Sequence, residues 1–167
     1  MVLSFVRELF ADMENLPALI RAASHLRAGA GRIRVSGLIP TAKALSLVSL
    51  QKAAGRPLIV VVSDNRAAED LAPVVAAFAE LTGDIDPESI VTLPTRDVLP
   101  FQNLSPHPEI QEERAVALWK IATGAASIVI TPVAATSVRL RPAEYYAGLG
   151  EAFAVAIPST PNLCSHI

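Results

Sequence analysis

Gly37 through Ala44 read G-L-I-P-T-A-K-A, the spacing of a phosphate-binding loop, G-x-x-x-x-G-K-[ST], with two positions changed. A working loop of this kind wraps a triphosphate with backbone N–H groups at the head of a helix, where the helix dipole favours an anion. Its second glycine lets the backbone close on the phosphates, and here Ala42 puts a methyl group in that place. Its last residue supplies a hydroxyl to Mg²⁺, and Ala44 has no oxygen to offer. Thr41 lies inside the loop, and Lys43 keeps the point charge. The expected chemistry is therefore anion contact at most, without phosphoryl transfer; otherwise the stretch is a strand–turn–helix junction with a partly exposed lysine.

Such a catalytic loop also needs an acid at the end of a second strand. Leu58–Val62, LIVVV, is followed by Ser63 and Asp64, but Asp64 also opens a helical segment, where an aspartate is the ordinary cap. The later apolar run SIVIT enters Pro132 with no acid. No catalytic residue and no metal ligand set is expected, and the single cysteine, Cys164, excludes an internal disulfide framework and a cysteine-based metal site.

Charge is distributed unevenly along the 167 residues. No acid occurs between Glu14 and Asp64, a stretch that holds Arg21, Arg27, Arg32, Arg34, Lys43, Lys52 and Arg56. From Asp64 onward thirteen acids outnumber six bases, and the whole chain carries a formal charge of −2. Arg21, Arg27, Arg32 and Arg34 are thus candidates for a weak anion or DNA face. The competing reading pairs these bases with the acidic half, and the overall acidity favours it against a polyanion.

The elements that would position the loop follow from periodicity. Leu3–Met13 and Leu16–Arg27 have helical spacing, and Gly29 and Gly31 stop the second helix and release the chain into a strand before Gly37. A helix after the loop ends at Gly55 and Pro57; LIVVV is a buried parallel strand. A helix over about Asn65–Leu81 carries Pro73, where a kink or restart is expected. Ile90–Thr92 is a third strand and Ser127–Thr131 a fourth. Between them, residues 93–108 form a long proline-rich loop, and Pro108 opens a helix that stops near Gly124. Pro142–Ala147 is a short closing helix. Strand alternating with helix predicts an α/β fold, a parallel sheet with flanking helices, in which ligands bind at the carboxyl ends of the strands. No apolar run is long enough for a membrane span, and Arg7 and Glu8 interrupt any leader-like stretch, so a cytoplasmic location is expected.

Three blocks, Val35–Phe78, Leu93–Ile121 and Ser127–Tyr146, resemble the N-terminal region of the transcription-repair coupling factor family (Mfd), which is itself similar to the first domain of UvrB. The resemblance covers roughly residues 1–149, and the LPTRDVLPFQNLSPHPEIQEERAVALWKI block is its most specific part. It implies a degenerate phosphate-loop, helicase-like domain over 32–149 after a helical segment over 1–31. Residues 150–167 are unlike the family and are expected to be a loose tail.

The resemblance further implies a non-hydrolysing scaffold or regulatory module of a nucleotide-excision repair factor. The family's ATP- and Mg²⁺-dependent DNA translocase lies far downstream, and its full-length partners are RNA polymerase, UvrA and DNA. Two other readings stand beside it: a nucleotide-binding ATPase or helicase fragment that retains Lys43, and an unrelated α/β small-molecule binding domain.

Overall fold

A computed structural model describes residues 15–29, 31–96 and 107–150, together with Glu8, Phe10 and Asp12. The expected helix over Leu3–Met13 falls largely outside the described residues, as do residues 97–106 of the proline-rich loop and the tail from residue 151 onward.

The described elements run α1 (Pro17–Ala28), α2 (Pro40–Ala54), β1 (Leu58–Val62), α3 (Asn65–Thr82), a 3₁₀ turn (Pro87–Ser89) and β2 (Ile90–Thr92). After these come α4 (Pro108–Ala122), β3 (Ile128–Pro132), α5 (Val133–Thr136) and α6 (Ala143–Ala147). Local chemistry accounts for most of the ends. Proline is the first residue of α1, α2 and α4, where its fixed φ suits a helix and its absent N–H leaves no bond unmade. Gly29 and Gly55 close α1 and α2 in the left-handed region, at φ +65° and +62°, which a side chain would oppose.

The sheet is parallel, with strand order β1-β3-β2. Strand β3 lies at the centre, and all five of its residues are buried. Because side chains alternate across a strand, Ile128 and Ile130 enter a core with Ala44 and Val48 of α2 and Ala68, Val75 and Ala79 of α3. Val129 points the other way, into a second core with Val91, Leu93, Ala117, Leu118 and Ala126. The result is a three-layer arrangement, α2 and α3 on one face and α4 on the other. The expectation that LIVVV is a buried strand is met on one face only: Val60 and Val62 pack on the first core, whereas Ile59 and Val61 remain 71% and 52% exposed.

Two expectations need correction. The expected strand before Gly37 does not form: residues 31–37 are exposed, and they pair with no strand among the described residues. Ile33 and Val35 are 41% and 46% exposed, so the apolar half of that alternation finds no core to enter. The described sheet therefore has three strands rather than four. Nor does α3 restart at Pro73: the helix is continuous from Asn65 to Thr82. Its ring sits on the exposed side, and burial of Ala68, Val75 and Ala79 on the opposite side offsets the lost backbone bond to Glu69.

Candidate functional site

The loop Gly37–Ala44 enters α2 without a preceding strand. Gly37 adopts φ +81° with open space where a side chain would stand, so its glycine answers a backbone need and not a crowded contact. Ile39 is the N-cap residue in extended conformation, with no side-chain cap, and Pro40 is the first helical residue. Pro40 removes one amide, and the Lys43 N–H donates to the Ile39 carbonyl at 2.9 Å. The helix head is left with the amides of Thr41 and Ala42.

Thr41 and Lys43 are exposed, Ala42 is half-buried, and Ala44 is wholly buried in the first core. The position that would carry a Mg²⁺-binding hydroxyl therefore faces Val48, Ile128 and Ile130 and not the loop.

Asp64 is a helix cap. Its Oδ1 accepts the Ala67 N–H at 2.8 Å and its Oδ2 accepts the Ser63 hydroxyl at 2.9 Å. These bonds, the Ala67 amide first, hold its carboxyl below the usual carboxylate range. Both carboxylate oxygens are engaged. Among the described residues no group of three or more His, Cys, Asp or Glu side chains gathers as a metal site.

The five arginines of the acid-free stretch have different surroundings. Arg21 is exposed on α1, and Arg32 and Arg34 are exposed on the segment that leads to Gly37. Arg27 Nε donates to the Ala53 carbonyl at 2.8 Å, while Arg56 Nη2 donates to the Leu26 carbonyl at 2.7 Å. These two cations bind the C-terminal carbonyls of α2 and α1, where the helix dipoles favour positive charge. Lys52 pairs with Asp84 at 3.0 Å, joining the basic stretch to the acidic half.

At the carboxyl ends of the strands the structure builds something the sequence motifs do not announce. The segment Leu93–Thr95, just beyond β2, is held by three side chains from three elements. Asn65 of α3 accepts the Thr95 N–H at 2.9 Å, and Thr131 of β3 donates to the Leu93 carbonyl at 2.9 Å. Arg114 of α4 donates to the Pro94 carbonyl. Arg96 follows directly and lines a cavity of about 440 Å³ with Arg114, Arg139 and Arg141. A usable signal was present: Arg114 occupies the buried stripe of α4 with Ala117 and Leu118, at the i, i+3, i+4 places. An arginine there demands an explanation that a surface arginine does not.

Comparison with known proteins agrees with the sequence resemblance. The chain is 33% identical to the transcription-repair-coupling factor of Myxococcus xanthus over 104 residues, which is 62% of this chain and 9% of that protein. It is 25% identical to the transcription-repair-coupling factor of Haemophilus influenzae over 111 residues, 66% of this chain and again 9% of the relative. The chain thus spans less than a tenth of the length of these curated relatives. No family model matches it, and no solved structure does. Among the described residues no helix is long and apolar enough to cross a membrane.

Proposed function

We propose that this chain is a non-hydrolysing α/β module of a transcription-coupled nucleotide-excision repair factor, serving as a scaffold and regulatory contact. The similarity to two transcription-repair-coupling factors supports the repair assignment. The loss of hydrolysis rests on one observation: Ala44 is wholly buried in the core at the place where a phosphate loop needs an oxygen facing Mg²⁺. In this reading the domain has the degenerate, UvrB-like phosphate-loop architecture. ATP and Mg²⁺ act only in the translocase of a full-length factor, and contacts to RNA polymerase, UvrA and DNA belong to that larger assembly.

The test is calorimetry and phosphate release with the 167-residue chain, with and without duplex DNA. The expected results are no magnesium-dependent heat of ATP binding and no turnover above buffer. The rival nucleotide-binding reading draws on Lys43, which remains exposed in the first turn of α2. A magnesium- and ATP-dependent rise in melting temperature that Lys43→Ala abolishes would establish that rival.

A further inference from the structure

The cavity beside Arg114 lies beyond the carboxyl ends of β2 and β3. Arg96 follows the first strand by four residues, and Val138–Arg141 follow the second after the short α5. In parallel α/β sheets that edge is where ligands bind. Four of the six basic residues found from Asp64 onward line this one cavity, although acids outnumber bases two to one in that half. Among the described lining residues there is no carboxylate. Among the described residues none of the four guanidiniums makes an ion pair.

Arg114 is only 6% exposed, yet among the described residues its side chain makes a single bond, to the Pro94 carbonyl. A guanidinium has five N–H donors. No buried side-chain nitrogen or oxygen is left without a partner among the described residues, so the remaining donors of Arg114 open onto the cavity that it lines. A buried cation without a counterion is costly. Burial, and then the neighbouring charge of Arg96, push the Arg114 guanidinium below its ordinary value. At the rim, Arg141 stacks 4.5 Å above the Tyr145 ring, and its backbone N–H donates to Tyr146 Oη at 3.1 Å. Those contacts orient the Arg141 side chain without neutralising it.

We propose that this cavity binds a compact polyanion built of adjacent phosphate groups, held by the forked donors of Arg114 on the floor and Arg96, Arg139 and Arg141 at the rim. Planar guanidinium forks match phosphate oxygens two at a time. A volume of about 440 Å³ suits a small molecule, and the site is one bounded cavity and not the extended track that a single strand of nucleic acid follows. The site is distinct from Gly37–Ala44 and does not depend on the repair assignment.

The experiment titrates inorganic pyrophosphate into the 167-residue protein without magnesium, by calorimetry and by NMR of the arginine Nε–Hε groups. Parallel titrations use ADP, hexaglutamate and a single-stranded 12-mer oligonucleotide. The expected result is saturable pyrophosphate binding that moves the Arg114 Nε–Hε signal, with ADP also binding and hexaglutamate and the oligonucleotide weaker. Arg139→Gln with Arg141→Gln, both at exposed positions, should weaken pyrophosphate binding by about tenfold or more while leaving the melting temperature unchanged. Lys43→Gln should leave the affinity unchanged. Absence of saturation, equal affinity in the double variant, or tighter binding of hexaglutamate or the oligonucleotide overturns the proposal.

Discussion

Thr131 and Leu93 join β3 to the chain beyond β2: the Thr131 hydroxyl donates to the Leu93 carbonyl at 2.9 Å, and both residues are buried. The Leu93 N–H also donates to the Ile130 carbonyl at 2.9 Å, so the ladder continues one residue past Thr92. Thr131→Val keeps the shape and removes the donor, leaving a carbonyl without that partner in a dry place. The expected cost is about 1–3 kcal/mol, measured by urea unfolding with an unchanged m-value. A loss of m-value would show that the segment had come loose as a unit.

Restoring the phosphate-loop hydroxyl should harm the protein. In Ala44→Thr the added atoms enter a core that already contains Val48, Ile128 and Ile130. Ser46 on the same helix donates its hydroxyl back to the Ala42 carbonyl at 2.6 Å, and a threonine at position 44 would turn the same way, toward Pro40. The expected destabilisation is about 1–3 kcal/mol, with no change in melting temperature on adding Mg²⁺. A magnesium-dependent stabilisation of the variant would contradict the placement of this side chain.

The Asp64 cap gives a pH dependence of definite sign. Its folded carboxyl titrates below its ordinary value of 3.8, so its contribution is complete above that value and is lost as pH falls through the folded pKa. Asp64→Ala should therefore lower the melting temperature near neutrality, and the gap to the parent should close in acid, as pH falls through the lowered folded pKa. A gap independent of pH would mean that the ionised carboxylate is not what holds the Ala67 amide.

Gly150 lies against Trp119, and a methyl group at position 150 would meet the indole Nε1. Trp119 is the single tryptophan of the chain, which makes its fluorescence a local probe. Gly150→Ala should shift the emission maximum while β-sheet and helix content by circular dichroism stay the same. An unchanged spectrum would show that residue 150 does not rest on α4.

What the sequence made legible was what local chemistry decides. Pro17, Gly29, Gly55 and Pro108 mark helix ends because their backbone preferences act within one turn, and LIVVV and Ile90–Thr92 are strands within the expected bounds. A strand also needs a neighbour, and Ile33 and Val35 show a β pattern that finds none among the described residues. At Pro73 a local penalty yields to packing that only the folded core reveals. The phosphate-loop motif drew attention to Lys43, yet the arginine cavity is assembled from residues 96, 114, 139 and 141, three separated segments that only the topology brings together. Arg27 and Arg56, which the sequence presents only as charges, act as caps on carbonyls.

The bare half of β1 carries a liability for anyone who handles the protein. Ile59 and Val61 stand exposed on a five-residue strand that forms the sheet margin among the described residues. Its outer backbone groups offer a template for a strand from another molecule, and the two side chains add greasy surface beside it. Lysine and proline, the usual guards of such a margin, are absent from LIVVV itself. Association along this margin is the expected fate of concentrated solutions, and Ile59→Lys should reduce it, as light scattering against concentration would show.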